Sequence, residues 1–199
     1  MRVNAKTKGQ GLLETVVAIG VITTGLISVI TLVISNLTAQ REAALRYRAV
    51  NFAREGLEIA RNIRDSNWLA GESPWEGLGS PEEAILEFDD STDEWSFGSA
   101  ISADAIDNTR LCLAPSGLYV QREFGCPESY DETPFYRTIE LQTLACDRVF
   151  SRDDELCTSV ERSGVDPDAV ALTVVARVRW SDAGRSREVE LTENLYDWR

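Results

Sequence analysis

The sequence predicts an α+β chain, a long N-terminal helix packed on an antiparallel β-sheet, and three observations predict it. The 25 residues from Thr15 to Ala39 carry no charge. An amphipathic pattern follows from Ala49 to Ile63, with no proline or turn cluster in between. Near the C-terminus Val170, Leu172, Val174, Ala176, Val178 and Trp180 alternate at strict period two, as in a strand with one buried face.

The uncharged run makes a helix about 37 Å long, enough to cross a hydrocarbon layer of about 30 Å with some tilt. Arg2, Lys6 and Lys8 precede it and no acid comes before Glu14, so the N-terminus is expected in the cytoplasm and the remainder beyond a single-pass membrane helix. A secretory signal places its apolar region ahead of a small-residue cleavage site. Here the order is inverted: the pair Lys8-Gly9 comes first, then Gln10, then the apolar run with Glu14 at its edge. A carboxylate in such a segment costs about 2.5 to 3.5 kcal/mol on insertion and marks a function or a partner. Gly20 and Gly25 are places where another backbone can approach.

At 100° per residue, Ala49, Val50, Phe52, Ala53, Gly56, Leu57, Ile59, Ala60 and Ile63 fall on about half of the helix circumference. Asn51, Arg54, Glu55, Glu58, Arg61, Asn62 and Asp65 fill the opposite arc. The two helical stretches read as one element from about Gln10 to Arg64, residues 10–40 apolar all round and 41–66 amphipathic.

Residues 67–109 carry Gly71, Gly77, Gly79, Gly98, Pro74, Pro81 and three tryptophans, and read as an acidic, turn-rich connection. Eleven acids and no base lie between Glu72 and Asp107. Their spacing does not match an EF-hand loop, so a solvated acidic surface is expected and no metal. Residues 110–199 supply the extracytoplasmic sheet. Arg110 to Leu113 and Leu118 to Glu123 flank Ala114-Pro115-Ser116-Gly117 as a hairpin, and Tyr136 to Leu144 is a further strand with Ile139 and Leu141 on one face. Asp182-Ala183-Gly184 turns the chain into a return strand through Val189 and Leu191, and Leu195 and Trp198 cap the sheet. Cys112, Cys126, Cys146 and Cys157 all lie beyond the membrane segment. Three pairings are open, and closure of local loops favours Cys112 with Cys126 and Cys146 with Cys157. No C-x-x-C pair points to zinc.

The composition narrows function further. The 199 residues contain no histidine, which removes Ser-His-Asp and Cys-His catalysis and imidazole-ligated metals. With 33 acids against 20 bases the net charge is -13, so nucleic acid is not expected as a partner. No catalytic constellation stands out, and neither an enzyme nor a cofactor is expected.

The stretch Lys8-Gly9-Gln10-Gly11-Leu12-Leu13-Glu14 resembles the class III signal of type IV pilins and type II secretion pseudopilins. The resemblance implies that residues 1–9 are a leader. A membrane-embedded prepilin peptidase would cut it after Gly9 and leave Gln10, where phenylalanine is common, as the N-methylated terminus. It also implies that the apolar helix stays in the mature protein and joins other pilin subunits, Glu14 pairing with a neighbour's terminal amine. The run Phe52-Ala53-Arg54-Glu55-Gly56-Leu57-Glu58 through Asn67-Trp68, and the ending Leu191 to Arg199, look like minor pilins. The likeness covers mainly the first 70 residues and the last 30. The expected function is therefore a non-enzymatic minor pilin or pseudopilin, at the cytoplasmic membrane and then in a pilus or pseudopilus. The alternative is a membrane-anchored sensor, adhesin or carboxylate-based hydrolase that never enters a filament.

Overall fold

The computed structural model describes residues 8–78, 83–100, 106–145, 160–163 and 171–197. They comprise one helix, α1 (Lys8–Ala70), and the strands β1 (Ala84–Asp89), β2 (Glu94–Ala100), β3 (Arg110–Leu113), β4 (Tyr119–Val120), β5 (Asp131–Ala145), β6 (Val160–Ser163), β7 (Ala171–Asp182) and β8 (Arg185–Tyr196). This is the α+β arrangement expected, one long N-terminal helix against an antiparallel sheet. The chain divides into two units, Met1–Leu45 and Arg46–Arg199.

Within the first unit every described side chain from residue 11 to residue 41 is exposed. Leu12, Val21, Ile27 and Leu32 each keep more than 60% of their surface open. Six hydroxyls of this apolar stretch, those of Thr15, Thr23, Thr24, Ser28, Thr31 and Thr38, turn back on their own helix. Thr24, Ser28, Thr31 and Thr38 donate to the carbonyls of Gly20, Thr24, Ile27 and Ile34 at 2.8 to 3.0 Å. An oxygen so engaged leaves no unpaired donor when the helix enters an apolar medium.

In the second unit the stripe read from the sequence is the one that packs. Ala49, Ala53 and Ala60 are fully buried, Phe52, Leu57 and Ile59 nearly so, and Val50 and Ile63 half-buried. α1 runs past the mid-sixties to Ala70, because the first residue able to end it is Gly71 at φ +81°. Asn67 then anchors the exit, its amide donating to the carbonyls of Pro74 and Glu76 at 3.2 and 2.7 Å.

β5 is the centre of the sheet. β7 pairs along one edge from Phe135 to Leu144, and β8 pairs with β7 in unbroken register from Ala171↔Tyr196 to Asp182↔Arg185. On the opposite edge of β5 lie β3, β1 and β6 in turn. Leu172, Val174, Ala176, Val178 and Trp180 are buried on one face, as their alternation required. Ala183 and Gly184, at φ +49° and +75°, make the turn to β8. Leu195 is buried, and Trp198 lies outside the described residues.

Residues 67–109 hold more than a connection. β1 and β2 form a hairpin inside the acidic stretch, and Ala84 pairs with Ile139 to join it to β5. Ala84, Ile85, Leu86 and Phe88 are buried, and the acids that obscured them in the sequence crowd the exposed turn. There Asp89 Oδ1 accepts from the amide and hydroxyl of Ser91 at 2.8 and 2.6 Å. Those bonds hold its carboxyl below the usual range. Among the described residues no group of three or more Cys, Asp or Glu side chains is placed to hold a metal ion.

Candidate assembly site

Gly9 and Gln10 lie in the first turns of α1, and Glu14 follows one turn later on its exposed surface. At 100° per residue Gly11, Ala18 and Gly25 fall within about 60° of Glu14, so low-bulk positions share the acid's side of the helix. A Cβ built on Gly11, Gly20 or Gly25 would meet nothing within 4 Å. Among the described residues these glycines have open space beside them, which leaves α1 smooth there.

A second low-bulk feature escaped the sequence reading. Thr24, Ser28, Thr31, Ser35 and Thr38 recur at spacings of four and three and fall within an arc of about 80°. The heptad spacing was visible in the sequence, and hydropathy alone hid it. Bulky Ile22, Leu26, Val29, Val33 and Leu37 take the opposite arc. The helix therefore has a small, hydroxyl-bearing side and a large branched side, both exposed within the chain.

The second unit carries a polar hub that sequence reasoning missed. Arg137, on β5, is fully buried. Its Nε donates to Gln121 Oε1 at 3.0 Å, its Nη1 donates to the Phe52 carbonyl at 3.3 Å, and Glu55 Oε2 lies 3.4 Å from Nη1. Gln121, also fully buried, donates to the carbonyls of Thr109 and Arg137 at 2.6 and 2.7 Å. One guanidinium and one amide thus tie α1, β5 and the segment around β3 and β4 together. Burial raises the Glu55 carboxyl above its usual range against the pull of Arg137, and burial lowers Arg137. Gly56 is the steric counterpart, since a Cβ there would stand 2.6 Å from Ile139 Cδ1 and 3.7 Å from Ala176 Cβ. Gly56 is thus where α1 comes close to β5 and β7.

Cys112 and Cys126 form a disulfide with Cα atoms 5.5 Å apart, the local pairing favoured from the sequence. Cys146 and Cys157 lie outside the described residues. The bridge closes the segment that carries Gln121, so it keeps the hub's amide beside β3.

Two open grooves of about 460 Å³ each lie on this unit. One is lined by Glu55, Glu58, Arg61, Asp65 and Trp95, the other by Glu87, Asp89, Asp90 and Arg122. In both the cation is engaged. Arg61 bridges Glu58 and Glu193, and Arg122 pairs with Asp90 at 2.6 Å and donates to the Phe88 carbonyl. The second groove also holds Ser91, whose hydroxyl donates to Asp89 Oδ1 at 2.6 Å; the same oxygen accepts the Ser91 amide, and bonds that hold the Asp89 carboxyl below its usual range make it a weak base. Comparison with protein-family models, with curated proteins and with solved structures finds no match.

Proposed function

We propose that the chain is a non-enzymatic minor pilin or pseudopilin subunit. In this reading a prepilin peptidase removes residues 1–9, Gln10 becomes the N-methylated terminus, and the apolar half of α1 holds the protein in the cytoplasmic membrane. That helix then packs against other pilin subunits in a type IV pilus-like filament, or primes one. The observation that carries the reading is the order Lys8-Gly9-Gln10 and then Glu14, set directly ahead of an apolar helix whose side chains are exposed within the chain. Supporting it, the hydroxyls of Thr24, Ser28, Thr31 and Thr38 are bonded within that helix, and its bulk is sorted into a small side and a large side. Small surfaces let helix backbones approach where the hydrophobic effect gives no drive. The Glu14 carboxylate would be neutralised by the amine that cleavage creates on a neighbouring Gln10.

N-terminal sequencing of the membrane-extracted protein tests the reading, with Gln10 expected as the first residue. Gly9→Val should then retain the leader and run at higher apparent mass wherever the peptidase is present. Glu14→Ala should be processed yet poorly incorporated. A native protein that still begins at Met1 in the presence of active peptidase refutes the proposal.

A further inference from the structure

Just past the apolar run stand three exposed residues, Arg46, Tyr47 and Arg48. Tyr47 keeps 68% of its surface open. Neither guanidinium has a hydrogen bond or ion pair among the described residues. By contrast Arg61, Arg110, Arg122, Arg137, Arg177 and Arg179 each face a carboxylate. Arg54 and Arg185 are likewise exposed and without such a partner among the described residues, but only Arg46 and Arg48 flank an exposed aromatic next to the apolar run, in a chain of net charge -13.

Their angular spread says what kind of surface meets them. At 100° per residue they fan over about 200° of the helix, centred opposite the stripe of Ala49, Ala53, Gly56 and Ala60. A protein surface touches one side of a helix and reaches one or two of them. A medium that surrounds the helix reaches all three. Arg46 and Arg48 lie seven and nine residues beyond Ala39 in α1, about 10 and 13 Å of helical rise. The headgroup layer extends about 5 to 8 Å past the hydrocarbon edge. Arginine side chains that snorkel back cover the remaining distance, and tyrosine is enriched at that depth.

We infer that Arg46, Tyr47 and Arg48 form a collar that binds anionic phospholipid headgroups where α1 leaves the bilayer. The guanidiniums supply paired donors that match phosphate oxygens, and the tyrosine supplies an apolar ring with a hydroxyl at its wet end. The collar sets the depth at which the helix is held. It rests on the apolar half of α1 lying in a bilayer and not on cleavage after Gly9.

The full chain reconstituted in nanodiscs tests it, with phosphatidylcholine alone compared with an equal mixture of phosphatidylcholine and phosphatidylglycerol. Chymotrypsin cleavage after Tyr47 is followed by mass spectrometry, and cleavage after Phe124, 90% exposed on a loop, serves as the internal control. Phosphatidylglycerol should slow cleavage after Tyr47 by roughly fivefold for each arginine, leave Phe124 unaffected, and lose its effect in high salt. Arg46→Gln with Arg48→Gln should be cut equally fast in both lipids, while Arg46→Lys with Arg48→Lys should keep most of the protection. Equal rates for the unaltered chain in both lipids overturn the collar and leave the pilin reading standing. Protection in phosphatidylcholine that grows with protein concentration assigns the three residues to a second copy and also overturns it. A chain that fails to enter nanodiscs overturns the collar together with the membrane placement of α1.

Discussion

The Glu55–Arg137 pair can be tested by a double-mutant cycle whose signs follow from the structure. Glu55→Gln preserves shape and removes the only carboxylate paired with Arg137 among the described residues. The guanidinium cannot shed its proton, so its charge stays uncompensated in the interior. Removing one partner of a buried pair costs about 3 to 5 kcal/mol. The Glu55 side chain is 36% exposed, which lets water screen that side, so a loss of about 2 to 3 kcal/mol is expected. Arg137→Met removes the cation and its bonds to Gln121 and Phe52 but fills the volume, a loss of about 2 to 4 kcal/mol. With both changes neither charge is stranded, and the double variant should lie within about 1 kcal/mol of Arg137→Met alone. Urea unfolding of the full chain in detergent, followed by tryptophan fluorescence, reads this out, since all five tryptophans lie beyond Leu45. Losses that add to within about 0.5 kcal/mol would refute the coupling. The pH dependence gives a second check. A carboxyl whose folded pKa lies above its unfolded value loses stability as pH rises between the two. Burial already raises Glu55 and Arg137 opposes that rise; methionine at position 137 ends the opposition. The deficit of Arg137→Met should therefore be larger near pH 7 than near pH 5, and a deficit that is flat over this range would contradict the account.

Three further outcomes follow from the same unit. Gly56→Ala forces its Cβ against Ile139 Cδ1 and should cost about 1 to 2 kcal/mol, after allowance for the better helix former. Ile139→Val removes the clashing methyl, so Gly56→Ala should be nearly neutral in that background; an equal loss in both by chemical denaturation would disprove the clash. Arg177 pairs with Glu140, Glu190 and Glu83 at 2.6, 2.7 and 3.1 Å. The Gln142 amide first, and then Arg177, hold the Glu140 carboxyl below its usual range. That stabilisation is present above the unfolded carboxyl value and lost as pH falls through the folded one. Arg177→Met should thus cost about 1 to 2 kcal/mol near neutral pH, and its deficit in thermal unfolding should shrink toward pH 3. Replacing Cys112 and Cys126 together by Ala opens a loop of sequence separation 14 and should cost about 3 kcal/mol. A Tm unchanged by the pair would show that Gln121 is held without the bridge.

Much of this chain is legible one residue at a time. The uncharged run announces itself by its length, and the stripe from Ala49 to Ile63 and the alternation from Leu172 to Trp180 each repeat at the period of the element they form. Elements that bury one face must write that face into the sequence at that period. The hairpin at Asp182-Ala183-Gly184 and the local pairing of Cys112 with Cys126 are legible for the same reason, since both are short-range in the chain. The order Lys8-Gly9-Gln10 and then Glu14 is also a linear pattern of charges and small residues, and the pilin reading proposed above rests on that order.

What tertiary structure decided has no period to announce it. Strands β1 and β2 were hidden because the buried residues of β1, Ala84 to Leu86 and Phe88, stand among acids of an exposed turn, and the pairing of β1 with β2 and with β5 is what separates the two sets. Arg137 reads as one more polar residue in a strand, and Gln121 as one more polar residue in a loop, until the fold brings them 3.0 Å apart beneath α1. Glu55 sits on the arc assigned to solvent, yet its carboxylate reaches a cation 82 residues away in sequence. Local periodicity reports which side of an element is buried. Which buried polar group answers which is fixed by contacts distant in the chain, because an unpaired charge in the interior is costly enough to choose its own partner.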